Sequence, residues 1–179
     1  MKAIHAISIL RTFDQLGQYV FTKHDLKKLF PMDQEKAFTE GLGRLVKDKI
    51  LVRACRGIYI NHQAASFNSY AIEYIAKALR RGEYNYVSLE SMLVEYGAIS
   101  QILIDRLTVM TTGRKGVYKT PYGIIEFTHT KRSTIEIVND IKTIPGRPLR
   151  VASKHAAWRD LKRVGRNTDM VNIEALDDN

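Results

Sequence analysis

The chain has 179 residues, with 28 Lys+Arg against 19 Asp+Glu and a net charge of +9. That length allows one domain or two small ones, and a hydrophobic content of 45% is enough for a buried core. A single cysteine, Cys55, excludes an intramolecular disulfide and a cysteine-based zinc site, while the basic balance points to nucleic acid, an acidic membrane surface or an acidic protein partner.

Ile4, Ile7, Leu10 and Phe13 recur at helical spacing and predict a helix from Ala3 to Leu16, ended by Gly17. Tyr19-Val20-Phe21 is a short extended piece. Thr22 and Asp25 form a capping-box-like start to a second helix, whose core face is Leu26, Leu29 and Phe30 and which Pro31 stops. Asp33 then caps a third helix, with Gln34 and Glu35 in its first turn. Phe38, Leu42, Leu45 and Val46 make its apolar stripe. The opposite face holds Lys36, Thr39, Glu40, Gly43, Arg44 and Lys47.

Ile50-Leu51-Val52 favours a strand, Arg56-Gly57 a turn, and Ile58-Tyr59-Ile60 a returning strand. Arg44 to Arg56 contains five Lys or Arg and one acid, Asp48. Residues 1–62 hold 11 bases and 6 acids, and residues 63–179 hold 17 and 13, so the excess charge is denser in the first part. Helix, short strand, helix, helix, hairpin is the winged helix-turn-helix order. A basic helix face beside a basic hairpin suits duplex DNA, with the helix in the major groove and the hairpin on phosphates or the minor groove. Lys36, Thr39, Glu40, Arg44 and Lys47 are therefore expected to face the major groove. Arg44 has the fork for a guanine, and Glu40 can accept from a cytosine amine. Arg53 and Arg56 are expected to hold the backbone or enter the minor groove, with Lys23 and Lys28 adding phosphate contacts.

The polar run Asn61 to Asn68 marks the expected boundary between a winged helix-turn-helix domain at 1–62 and a smaller-sheet α+β domain at 69–179. Tyr70 to Arg81 reads as a packed amphipathic helix. Tyr86 to Ser88 is strand-like, and Ser88 is a cap candidate for a helix from Leu89 to Tyr96 closed by Gly97. Leu107 to Thr112, Val117 to Lys119 and Ile124 to Thr130 predict a small antiparallel sheet with turns at Gly113-Arg114-Lys115-Gly116 and Pro121-Tyr122-Gly123. Arg114 and Lys115 make a basic turn able to meet phosphate or an acidic partner. Ser133 and Glu136 form a capping box before a β-branched run that admits helix or strand, with helix preferred. Leu149 to Ala152 is strand-like, Ser153 caps Lys154 to Val164, and the segment from Arg166 to Asn179 is expected to be partly frayed.

Signals for catalysis are sparse. His5, His24, His62, His129 and His155 include no helical metal-site pair, and no nucleophile elbow or phosphate-binding glycine loop is present. Asp105, Glu126, His129 and Lys131 are the best enzymatic constellation, since two carboxylates and a lysine can serve a Mg²⁺-dependent nuclease. The same residues fit the solvent face of a strand. Cys55 lies near Arg53 and Arg56, which can depress a thiol pKa, but at a hairpin tip it reads as incidental. No catalytic residue, metal or cofactor is expected. No segment is long and apolar enough to span a bilayer, and Met1 to Leu10 lacks the apolar run of a signal peptide, so a soluble cytoplasmic protein is expected.

The strings Tyr86-Val87-Ser88-Leu89-Glu90-Ser91, Tyr96-Gly97-Ala98-Ile99, Leu107 to Arg114, Thr120-Pro121-Tyr122-Gly123 and Phe127-Thr128-His129 together resemble the AbiEi antitoxin family of type IV toxin–antitoxin systems. Arg56-Gly57-Ile58-Tyr59 resembles the end of that family's wing, and Leu149 to Ser153 its later strand-to-helix entry. The resemblance implies an N-terminal winged helix that binds inverted repeats in its own promoter and represses the operon. It also implies a C-terminal domain that counteracts a nucleotidyltransferase-type toxin encoded beside it. An inverted repeat needs two copies, either monomers in solution or a dimer formed on the DNA. Direct binding of the toxin, with Arg114 and Lys115 on the contact surface, is the alternative use of the basic charge.

Overall fold

The computed structural model describes residues 2–100 and 105–177. Its first unit, Met1–Leu79, opens with helix α1 (Ala3–Gln15), strand β1 (Val20–Thr22) and helix α2 (Lys23–Leu29). Thr22 starts α2 as expected: its hydroxyl accepts from the Asp25 amide at 3.0 Å, and the Asp25 carboxylate accepts from the Thr22 amide at 2.9 Å. Helix α3 (Glu35–Lys47) begins one residue later than its sequence signal. Gln34, not Asp33, is its N-cap, and it makes no side-chain cap.

The face of α1 is also shifted. Ala6 and Leu10 are buried with Ile9 and Phe13 packed beside them, whereas Ile4 and Ile7 are 85% and 40% exposed. Ala6 explains the rotation. Its small side chain lets the helix approach the core, so the buried stripe follows 6, 9, 10 and 13. Phe21, Leu26, Phe30, Phe38, Leu42 and Leu45 complete much of this core.

Strands β2 (Val52–Cys55) and β3 (Ile58–Ile60) form the hairpin, and Gly57 takes a φ of 80° at its turn. The three strands pair antiparallel in the order β1-β3-β2. The Gly57 carbonyl accepts from the Lys23 amide at 2.8 Å, which ties the hairpin turn to the start of α2.

The boundary expected at 62–69 lies instead after Leu79. Helix α4 (Ala71–Leu79) packs on β1 and β3 and buries Ile75 and Ala76 completely. The polar segment before it is knitted in by hydrogen bonds. Asp14 accepts from the Ala65 and Ser66 amides at 2.8 and 2.9 Å, and Tyr19 sits 5.3 Å from Phe67 and 5.0 Å from Tyr74, centroid to centroid. Polarity in this segment therefore reflects specific bonding rather than a free linker.

The second unit, Arg80–Asn179, is built on a sheet of six strands in the order β6-β7-β5-β4-β9-β8. The strands are β4 (Asn85–Val87), β5 (Arg106–Thr111), β6 (Gly116–Thr120), β7 (Gly123–His129), β8 (Ile141–Lys142) and β9 (Arg150–Ala152). The expected antiparallel sheet is mixed: β5 pairs β7 in parallel, and so does β4 with β9. The reason is insertion. The β6–β7 hairpin folds back so that β7, not β6, lies beside β5. Strand β5 is then buried from Leu107 to Thr111 without alternation, as a central strand covered on both faces requires.

Helices α5 (Leu89–Glu95) and α7 (Lys154–Val164) pack on each other, α5 against β5 and α7 against β9. The Ser133–Glu136 capping box is formed and starts helix α6 (Thr134–Asp140), after which Ile141 turns to strand. The helix preference for this run holds for its first part. The final segment is not frayed where it is described: a 3₁₀ turn spans Thr168–Met170, Val171 bridges Ile99, and α8 covers Glu174–Asp177. Together the two units make an α+β chain with one antiparallel and one mixed sheet. Among the described residues, no helix is long and apolar enough to cross a membrane.

Candidate nucleic-acid interface

Burial of Phe38, Leu42 and Leu45 fixes the rotation of α3. Lys36, Thr39, Glu40, Gly43, Arg44 and Lys47 consequently all face outward and are exposed. The hairpin places Arg53 and Arg56, both exposed, across from the helix. Between helix and hairpin runs a groove of about 540 Å³, lined by Lys23, Thr39, Gly43, Arg53, Arg56 and Tyr59 among others. A Cβ built on Gly43 would meet nothing within 4 Å, so the helix offers open backbone at this point.

The structure thus brings Lys23, Thr39, Arg53 and Arg56 together around one groove. Lys36, Glu40 and Lys47 lie on the exposed helix face outside that lining. Arg44 is farther around: one residue turns a helix by about 100°, so Arg44 points away from the hairpin side that Gly43 lines. Lys28 is exposed on α2 and does not line the groove.

Electrostatics separates these cations into two kinds. Lys23 Nζ is 2.9 Å from Glu35 Oε1 and 3.4 Å from the Thr39 hydroxyl, and sits 5.9 Å from the Phe38 ring centroid. Its hydrogen bond holds the Glu35 carboxyl below the usual carboxylate range. Lys36, Arg44, Lys47 and Arg56 form no ion pair among the described residues. Sequence spacing gave no hint of Glu35 as counter-ion, because Lys23 and Glu35 meet only through the packing of α2 on α3. Tyr59 was read as a strand residue and also lines the groove. Burial raises the pKa of Cys55, and the nearby Arg53 charge offsets this only in part.

The enzymatic constellation does not assemble. Glu126 and His129 are three residues apart on β7, so alternation sends them to opposite faces, Glu126 buried and His129 exposed. Glu126 is ion-paired with Arg106 at 2.5 Å and with Arg166, while His129 Nδ1 meets the Gly113 carbonyl at 2.8 Å. Burial works against ionisation of Glu126, yet the hydrogen bonds from Arg166 and Arg106 outweigh it and lower its pKa. Asp105 and Lys131 are exposed. Among the described residues, no cluster of three or more His, Cys, Asp or Glu could hold a metal ion.

Glu126 belongs instead to a latch. Arg166 Nε is 2.8 Å from Glu90 Oε1 and Nη2 is 3.2 Å from Glu90 Oε2, while Asn167 donates to Glu90 at 2.9 Å. Glu90 and Glu126 are only 2% and 8% exposed, and Arg166 bridges the two buried carboxylates, with Arg106 as a second cation on Glu126. Another buried acid, Asp160, accepts from the Ser88 hydroxyl at 2.8 Å and the Tyr86 hydroxyl at 3.2 Å. Ser88 therefore stands at the predicted cap position but gives its hydroxyl to Asp160 and makes no side-chain cap of α5. Arg114 and Lys115 are exposed at the turn leading into β6.

No protein-family model matches the chain, and no curated protein matches it. Among solved structures, the crystal structure of the RV2827C protein from Mycobacterium tuberculosis superposes with a TM-score of 0.59 at 14% identity. The match covers 87% of this chain and 58% of that one, so this chain spans under two thirds of its length. The likeness is one of fold.

Proposed function

We propose that the chain is a non-enzymatic, cytoplasmic DNA-binding repressor and antitoxin, whose first unit is a winged helix-turn-helix. The observation that carries the DNA reading is the basic groove between α3 and the β2–β3 hairpin, flanked by exposed cations with no ion-pair partner among the described residues. On a duplex, α3 enters the major groove with Lys36, Thr39, Glu40 and Lys47 forward and Arg44 at its rim. Arg53 and Arg56 hold the adjacent backbone, and Lys23 joins them once it leaves Glu35. The antitoxin role, its operon and its nucleotidyltransferase-type toxin rest on the AbiEi resemblance of the second unit's sequence.

A reporter driven by the DNA upstream of this gene tests the repressor. Wild-type protein lowers expression, and the double variant Arg53→Ala, Arg56→Ala restores it; equal repression by both removes the groove from the account. Co-expression with the product of the adjacent gene tests the antitoxin half, with rescued growth as the expected outcome. The exposed Arg114–Lys115 turn supports a second reading, direct contact of the second unit with the toxin. Pull-down with that gene product separates the two.

A further inference from the structure

The outer edge of the six-stranded sheet carries chemistry that duplex binding does not use. Strand β6 ends the strand order, with β7 as its one neighbour in the sheet. Its register runs without a bulge from Gly116↔Phe127 to Thr120↔Gly123. The two-residue connection makes Thr120 and Gly123 a hydrogen-bonded pair, and such pairs alternate. The backbone N–H and C=O groups of Val117 and Lys119 therefore point away from β7. Val117 is 59% exposed, and Lys119 is exposed as well. An open, regular edge of this kind is a template for another strand.

The edge is held rigidly from behind. Arg80 lies 4.5 Å from the Phe127 ring centroid and 5.2 Å from that of Tyr118, donates to the Tyr118 hydroxyl at 3.0 Å, and donates to the Arg114 carbonyl at 2.9 Å. Gly113 allows this approach, since an added Cβ would lie 3.2 Å from Arg80 Cδ and 2.9 Å from Glu83 Cγ. A preordered edge loses little conformational entropy on binding. The edge is also basic. Gly113 to Thr120 contains Arg114, Lys115 and Lys119 and no acid. The nearby acids are engaged elsewhere, Glu83 with the Thr112 hydroxyl and Glu126 with Arg106 and Arg166.

We propose that the β6 edge takes an extended acidic segment of a partner protein by strand addition. Val117 and Lys119 supply the backbone ladder, and Arg114, Lys115 and Lys119 hold the segment's carboxylates. Pairing with β6 of a second copy is disfavoured, because it sets lysines against like charges. The proposal deepens the second reading above, toxin contact through the Arg114–Lys115 surface, and does not depend on duplex binding.

The probe is a fluorescent decapeptide of alternating Val and Glu, with a Val–Lys decapeptide as control, titrated into the full chain by anisotropy. The Val–Glu peptide binds and the Val–Lys peptide does not, and the Val117 and Lys119 amides gain protection from hydrogen exchange. Val117→Pro removes an outward N–H while sparing the ladder to β7, and it lowers affinity by about tenfold, the equivalent of one lost backbone hydrogen bond. Lys119→Glu weakens binding too, and an unchanged far-UV spectrum verifies that each variant is folded. No binding of the Val–Glu peptide overturns the proposal, and so does full affinity in folded Val117→Pro. If the adjacent gene product is captured by Val117→Pro protein yet lost on Arg114→Glu, Lys115→Glu, the partner surface stands and strand addition fails.

Discussion

Arginine is used in opposite ways at the α3–hairpin groove of the first unit and at the Arg166 latch of the second. In the first, Arg44, Arg53 and Arg56 lie exposed on a helix and a hairpin, where water solvates them. In the second, Arg166 and Arg106 meet two buried carboxylates of the same chain, Glu90 and Glu126, and Arg166 thereby pins a late segment of the sequence to the sheet. The same residue type thus reads as a ligand site in one place and as architecture in the other. Burial of the neighbouring acids, rather than the density of basic residues, separates the two uses.

The comparison breaks most readily at Arg166. Arg166→Ala leaves Glu90 buried without its cation and Glu126 with Arg106 alone, and removing one partner of a buried pair in this way costs about 3 kcal/mol. The unfolding transition of the second unit shifts down in urea while duplex binding by the first is retained; a stability within error of wild type would contradict the latch. The latch also has a pH signature. The folded pKa of Glu126 is lowered from its ordinary 4.5, so its contribution is complete above 4.5 and is lost as pH falls through the folded value. Asp160 has the opposite sign, because burial raises its pKa and acid relieves its charge. Glu126→Gln therefore flattens the acid limb of the stability profile, and an unchanged limb would assign that limb to other groups.

In the first unit the expected effects appear in binding rather than stability. Arg44→Ala costs roughly 1–3 kcal/mol on the operator and relaxes specificity, if Arg44 forks onto a guanine. Equal losses on operator and random duplex would remove base readout from Arg44, whose place at the rim of α3 makes this a sharp test. Arg56→Ala weakens binding to every sequence and lowers the salt slope by about one. An unchanged slope counts against a phosphate contact there. The smallest effect is expected at Glu35→Gln, which releases Lys23 and tightens duplex binding slightly; weaker binding would mean that the pair positions Lys23 rather than restrains it.

Features set by neighbours in sequence were legible in the sequence. The Thr22–Asp25 and Ser133–Glu136 boxes and the Ser153 cap each depend on residues three apart, and all three form. The order of elements through the hairpin was legible for the same reason. Features set by distant partners were not. Ser88 satisfies the local cap pattern, but Asp160, 72 residues away, takes its hydroxyl, and Leu89 begins α5 at a φ of 57° that no local signal announces. The parallel pairing of β5 with β7 depends on where a hairpin inserts, which alternation within a strand does not encode. Arg166 looked like part of a frayed end because its partners, Glu90 and Glu126, are 76 and 40 residues away. At the candidate site, the outward cations of α3 followed from helical period alone. The groove lining, with Lys23 inside it and Arg44 outside, needed the packing of α2 and the hairpin around α3.

The most direct test of the central claim is a gel-shift competition at near-physiological salt between DNA from upstream of this gene and random duplex. The account predicts a preference on the order of a thousandfold for the upstream DNA, sharply reduced by Arg44→Ala. Equal, salt-sensitive binding to both would reduce the groove to a basic surface without sequence readout and contradict the repressor.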